Sequence, residues 1–79
     1  MTDDEILWLE NATVPEALDE LARLCGQVTA GVEVAIDVAS DPGAVETLMA
    51  SLLPGYDELY EMTSRLRTKA QRLRKERQG

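Results

Sequence analysis

The sequence predicts an all-α protein, a small bundle of three or four helices in which two long helices pack antiparallel and the last is coiled-coil-like. Two observations predict this class. Apolar residues recur at steps of three and four along most of the chain, and helix-starting residues precede three of the segments. At 79 residues the chain forms one helical domain, 1–79, whose core only just offsets the entropy of folding, so we expect self-association.

A short helix is predicted over about residues 3–11. Thr2 can cap its first turn, Glu5 follows three residues later, and the acids of that turn suit the positive end of the helix dipole. The run from Ile6 to Leu9 is apolar nearly all round. Trp8 is therefore expected to be covered, by the core or, as the alternative, by a partner.

A long helix is predicted from Pro15 to Ala39. Thr13 and Glu16 have the spacing of a capping box, and Pro15 falls in the first turn, where its missing N–H costs nothing. Gly26 and Gly31 each weaken a helix by about 1 kcal/mol relative to Ala. The face expected in the core comprises Leu18, Leu21, Ala22, Cys25 and Val28.

Residues 32–39, VEVAIDVA, also alternate as a strand does. An intersubunit strand followed by two helices would resemble the arrangement of ribbon-helix-helix DNA binders, whose strand side chains enter the groove. Here that strand would present Glu33 and Asp37, which repel phosphate. We favour a helix, because the chain offers no second convincing strand to pair with the first.

A third helix is predicted from Pro42 to Leu53, with Asp41 as its cap, and a fourth from Tyr56 to about Arg77. Pro54 and Gly55 are predicted to form a turn between them. The alternative is one kinked helix, which we consider weaker because Pro removes a backbone hydrogen bond where Gly adds flexibility.

An apolar seam follows the fourth helix at steps of three and four. It spans only about 80° of the helix, as in a coiled coil rather than a buried helix. Its members are Leu59, Met62, Leu66, Ala70 and Leu73. We predict a protein-interaction site formed by Trp8, Leu59, Met62, Leu66 and Leu73.

Charge is divided sharply along the chain, whose formal net charge is -7. Residues 1–61 carry 14 acids and one base, a balance of -13, whereas residues 62–79 carry seven bases and one acid, a balance of +6. The basic helix end, 64–79, is predicted to be a charged contact surface. Its members are Arg65, Arg67, Lys69, Arg72, Arg74, Lys75 and Arg77.

Three roles are open to this basic end. The bases could pair with acids of neighbouring helices, such as Glu16, Asp19 and Glu20, or they could select a protein partner by charge. They could also bind the phosphates of a nucleic acid. The last role is the weakest, because the net charge repels a polyanion and the helix end has no aromatic side chain to stack on bases.

The composition gives little support to an enzyme. With no His and one Cys, the chain lacks imidazole bases, His-ligated metals and Cys-His pairs. The carboxylate pairs Glu33/Asp37 and Glu58/Glu61 could hold Mg²⁺ only by a fold-level analogy with all-helical nucleotide pyrophosphatases. We expect no catalysis, no cofactor and no metal.

The cellular setting is expected to be the cytoplasm. Cys25 lies among apolar neighbours, so we expect a buried thiol and a reducing compartment. The opening MTDDE lacks the basic start of a signal peptide, and no apolar run approaches the ~20 residues of a membrane span.

The functional expectation is a protein-interaction module, an adaptor, regulator or assembly factor, that acts through helix-mediated, charge-complementary binding and self-associates as a homo-oligomer. The alternative is a nucleic-acid-binding accessory protein that contacts phosphates through the basic helix end.

Overall fold

The computed structural model describes residues 1–78 and consists of three helices joined by short links. Helix α1 spans Asp3–Asn11, α2 spans Val14–Asp37 and α3 spans Pro42–Gln78. No strand occurs within this range. The all-α prediction is confirmed, and residues 32–37, which also fitted a strand, belong to α2.

Helices α1 and α3 begin at the residues that the sequence predicted, whereas α2 begins at Val14 rather than Pro15 and ends at Asp37 rather than Ala39. The backbone N–H of Glu5 donates to Thr2 Oγ1 at 3.3 Å. In α2 the capping box is complete, with the Glu16 backbone N–H donating to Thr13 Oγ1 and the Thr13 N–H donating to Glu16 Oε1, both at 3.3 Å. Asp41 Oδ1 accepts from the first N–H groups of α3. These bonds satisfy donors that a helix start leaves unpaired.

The predicted turn at Pro54 and Gly55 is wrong, because α3 continues through both residues as one helix. The helix is held on either side of the proline by α2. Leu52 lies against Gly31, and Gly55 lies beside Val28. Pro54 itself is exposed, as is Ala50, whose carbonyl the proline leaves without its helical donor. Packing thus outweighs a local penalty of about 3 kcal/mol.

The two longer helices pack against each other along α2. As the residue number rises along α2, from Val28 to Gly31, that of the contacted residue in α3 falls, from Gly55 to Leu52. Helix α3 has 37 residues, which span about 56 Å at 1.5 Å per residue. The longest dimension of the molecule is also 56 Å, so α3 sets its length.

The core is small and lies where all three helices meet. Its buried cluster consists of Leu9, Ala17, Leu24, Met62 and Leu66. Val28 and Ala35 continue the buried stripe of α2 toward the link with α3. The described range contains no large side chain that is fully buried.

Part of the predicted core face of α2 is wrong. Leu18, Ala22 and Cys25 are exposed, whereas Ala17 and Leu24 are buried in their place. At 100° per residue, Leu18 and Cys25 lie about 80 to 100° around the helix from Ala17. The thiol of Cys25 is therefore at the surface, contrary to the expectation of a buried one.

Two glycines of α2 give a matched test of the helix contact. A Cβ atom at Gly26 would meet nothing within 4 Å, whereas one at Gly31 would overlap Leu52 Cδ2. We expect Gly26→Ala to raise the free energy of unfolding by about 1 kcal/mol through helix propensity. Gly31→Ala should gain less or lose stability, because Leu52 must move. Urea denaturation of both variants measures the difference, and an equal gain would contradict the close contact.

Candidate interaction surfaces

Helix α1 is held on α3 at its C-terminal end by a basic residue. Lys69 Nζ donates to the carbonyl oxygens of Leu9 and Glu10, both at 3.1 Å, and to that of Ala12. The end of a helix leaves such carbonyls unpaired, and its negative dipole end favours a cation. Lys69, predicted as a contact residue for a partner, thus caps a helix of its own chain.

The N-terminal end of α1 is also held on α3. The Met1 amino group donates to Glu61 Oε2 at 2.9 Å, and Arg65 Nε donates to Glu61 Oε1 at 3.3 Å. The first of these bonds raises the pKa of the amino group and lowers the pKa of Glu61. Both ends of α1 therefore bind the same side of α3.

The predicted interaction seam is divided between the inside and the outside of the fold. Met62 and Leu66 are buried, with 3% and 6% of their surface exposed, and Leu59 packs against the same cluster. Leu73 is exposed on the α3 segment near Val14. Trp8, with 43% of its surface exposed, is covered only in part. The seam thus serves the chain's own core as far as Leu66.

The basic end of α3 makes few contacts with the acids of the chain. Within residues 1–78, no base of this end forms a salt bridge with Glu16, Asp19 or Glu20, the pairing considered as one of its three roles. Glu20 pairs with Arg23, and Glu16 binds Thr13. Of the described bases beyond Ser64, Arg65 alone pairs with a carboxylate. The remaining arginines and Lys75 are exposed.

A second apolar stripe, which we call the α2 stripe, lies outside the core. Its spacing is four, three, four, three and four residues, which is that of a coiled-coil seam. Ile36 is 68% exposed and Leu18 50% exposed. The α2 stripe consists of Leu18, Ala22, Cys25, Thr29, Val32 and Ile36, none of them charged.

A corresponding stripe, the α3 stripe, lies on the other long helix. It consists of Met49, Leu53, Tyr56 and Tyr60, at steps of four, three and four. All four are exposed, Tyr60 to 78%. No charged residue belongs to either stripe, although 29% of the chain is charged.

Sequence reasoning missed the α2 stripe because it assigned the apolar residues of that helix to one face, and the α3 stripe because it placed a turn at Pro54 and Gly55, within the stripe. The signal was nevertheless present in α2, where positions 18, 22, 25, 29, 32 and 36 repeat at seam spacing beside the buried set. A helix with two apolar stripes has one for its own core and one for another surface.

The described part of the chain contains no candidate metal site. Residues 1–78 contain no group of three or more Cys, Asp or Glu side chains placed to hold a metal ion. The acid pairs considered above, Glu33/Asp37 and Glu58/Glu61, are thus not brought together. Among the described helices, none is long and apolar enough to cross a membrane.

Comparisons with protein-family models, curated proteins and solved structures found no match for this chain. The functional argument therefore depends on the surfaces described above.

A groove between the three helices contains an unfavourable carboxylate. Glu58 is half-buried there, beside Glu5 and Trp8. Burial raises the pKa of Glu58 above its usual 4.5, and the neighbouring Glu5 carboxylate raises this pKa further. Since a raised pKa means that the fold prefers the neutral carboxyl, ionised Glu58 destabilises the protein at neutral pH.

We expect Glu58→Gln to raise the melting temperature at pH 7 by a few degrees, because the amide carries no charge to desolvate. The advantage should shrink as the pH falls through the raised pKa, where wild-type Glu58 takes up its proton. Asp57→Asn, which removes the neighbouring exposed charge, is the matched control. Thermal unfolding from pH 4 to 8 measures the effect, and a destabilised Gln variant would contradict it.

Proposed function

We propose that this protein is a non-enzymatic protein-interaction module, an adaptor, regulator or assembly factor, that binds by helix packing and self-associates. One observation carries the proposal. Two exposed apolar stripes with seam spacing, one on each long helix, lack any charged residue in a chain rich in charge. Exposed apolar residues scattered singly need no explanation, whereas aligned ones indicate a binding surface.

The proposal treats α2 and α3 as an antiparallel pair, which the falling order of contacts from Gly55 to Leu52 supports. At 100° per residue, each stripe is offset by about 100 to 115° from the buried stripe of its own helix, in the same rotational sense. In an antiparallel pair, equal offsets bring both stripes to one side. We call this side the open face.

Helix α1 lies on the other side of the pair in this arrangement. Its contacts on α3, Glu61 and Lys69, are offset from the buried stripe in the opposite sense. The fold thus covers one side of the pair with its own third helix and leaves the other side to a partner.

Charge at the two ends of the pair supplies the means to select that partner. Residues 33–46, around the link between α2 and α3, carry four acids and no base. The opposite end carries the exposed bases of α3. Complementary charge at the rim of an apolar interface raises association rates and disfavours wrong partners.

Charged substitutions on the open face should abolish binding without unfolding the chain. We expect Ile36→Glu with Tyr60→Glu to lose the proteins that the wild type captures from its native cell, because both side chains are exposed and outside the core. Val34→Glu is the matched control, since Val34 is 50% exposed but belongs to neither stripe. Quantitative mass spectrometry after nuclease treatment compares the captured proteins, with circular dichroism as the test of folding. Identical captures by all three proteins would refute the proposal.

The second candidate function is phosphate binding by the basic end. It is favoured by one observation, that the described bases beyond Arg65 make no salt bridge with the chain's acids. Against it stands the net charge of -7, which repels a polyanion at long range.

We expect duplex DNA and RNA to bind weakly at ~150 mM salt, where the Debye length is about 8 Å. The second candidate instead requires an affinity that falls with salt at a log-log slope of about -4 for four to five phosphate contacts. Fluorescence anisotropy over a salt series separates the two. Submicromolar binding that Arg67→Glu with Arg74→Glu abolishes would replace our first proposal with the second.

A further inference from the structure

We infer that the occupant of the open face is a second copy of this chain, packed open face to open face in the opposite direction, so that two α2–α3 pairs form a four-helix bundle with both α1 helices outside. This inference rests on the proposed function and names its partner.

The open face of the α2–α3 pair has no layer of helices packed on it. Helix α1 is held on the opposite side of the pair, at Glu61 and Lys69 of α3. Domains are built from packed layers that bury each other's apolar faces. The uncovered side leaves Leu53 and Ile36 more than 60% exposed, and a second copy packed on the open face would bury them.

The spacing of the stripes suits helices of a bundle. Steps of four and three place each apolar side chain between those of a facing helix, the packing found in coiled coils and most four-helix bundles. A partner that bound only a pocket would need no such repeat. The α2 stripe keeps it over six successive positions, from Leu18 to Ile36.

The available area approaches that of a specific interface between two proteins. The α2 stripe is about 27 Å long at 1.5 Å per residue, and a pair of helices is about 20 Å wide, which gives a projected area on the order of 500 Å² per copy. The relief of the side chains raises the accessible area above the projected one. That brings it toward the ~800 Å² per partner of a specific interface.

Charge decides the direction in which the second copy lies. A two-fold axis along the helices would place the acidic end of one copy on the acidic end of the other, and likewise the two basic ends on each other. An axis across the helices instead places the basic end of α3 on the acidic residues 33–46 of the second copy. Attraction at both ends favours the second arrangement, because like charges placed opposite each other suppress association.

This arrangement brings one specific pair of charged residues from the two copies close together. When the centres of the two stripes coincide, α3 lies antiparallel on α3 of the second copy with its midpoint near Tyr56. Arg67, 11 residues beyond that midpoint, then lies near the level of Glu46, 10 residues before it. Cys25 lies close to the centre of the α2 stripe, so its exposed thiol would be covered in the dimer.

Sedimentation equilibrium from low to high micromolar concentration tests the inference. We expect a dimer for the wild type and for Val34→Glu, and a helical monomer for Ile36→Glu with Tyr60→Glu. Reaction of Cys25 with a maleimide should slow as the dimer fills, whereas in the monomeric variant it should not depend on concentration. A wild-type monomer at high micromolar concentration would overturn the inference, as would a dimer that the open-face variants leave intact.

A charge exchange tests the direction of packing. Arg67→Glu and Glu46→Arg should each weaken the dimer several-fold, and the double variant should restore it. A double variant weaker than either single one would overturn the antiparallel arrangement. If the chain is monomeric but Ile36→Glu with Tyr60→Glu still abolishes capture of other proteins, the proposed binding of other proteins by helix packing stands and self-association is excluded.

Discussion

The close contact between α2 and α3 is the constraint on which the rest of the fold depends. Gly31 admits Leu52, and Gly55 lies beside Val28, so the two backbones approach closely near the link. This contact keeps α3 helical through Pro54, and it turns one stripe of each helix inward. Because two helices can bury only the stripes that face each other, every other apolar residue must find a different neighbour. Some of them meet α1, whereas Ile36, Leu53 and Tyr60 stay more than 60% exposed in the described chain.

In this fold, the contact of a charged side chain with a helix end matters more than ion pairs do. Lys69 links the basic part of the chain to the acidic part by binding carbonyl oxygens at the end of α1 rather than a carboxylate. Exposed ion pairs contribute little, since water screens them and ordering two long side chains costs entropy. A cation at a helix terminus instead satisfies backbone acceptors that have no other partner. The acidic first part and the basic end thus meet at the Lys69 contact and at the pair Arg65–Glu61, while the other bases stay at the surface.

The sequence was sufficient for what local chemistry determines. Thr2, Thr13 and Asp41 start helices because their side chains accept hydrogen bonds from nearby backbone, and each does so in the structure. The alternation in residues 32–39 also fitted a strand. The helix was still the favoured prediction, because a lone strand would leave its backbone hydrogen-bonding groups unpaired. Pro54 could not be judged from the sequence, because its outcome depends on contacts with α2, distant in the chain. Leu18 and Cys25 were assigned to the core for a related reason. Periodicity shows that a residue lies on an apolar stripe, but which of two stripes faces inward is decided by the partner helix.

A helix with two apolar stripes buries only one of them in a monomer. The other stays in contact with water, which is unfavourable for the monomer. A chain of this length has a core that barely offsets its conformational entropy, and here the core excludes the largest exposed apolar side chains. Evolution toward a monomer would replace Ile36 and Leu53 with polar residues, since such changes at exposed helical positions leave the core intact. Their presence at seam spacing is explained if the open face is covered when the protein acts. Folding and association would then be coupled. A partner that binds the folded chain but not the unfolded chain raises the free energy of unfolding in proportion to the logarithm of the partner's concentration. On this argument, the small core and the uncharged open face have one explanation, which is that the open face is buried when the protein associates.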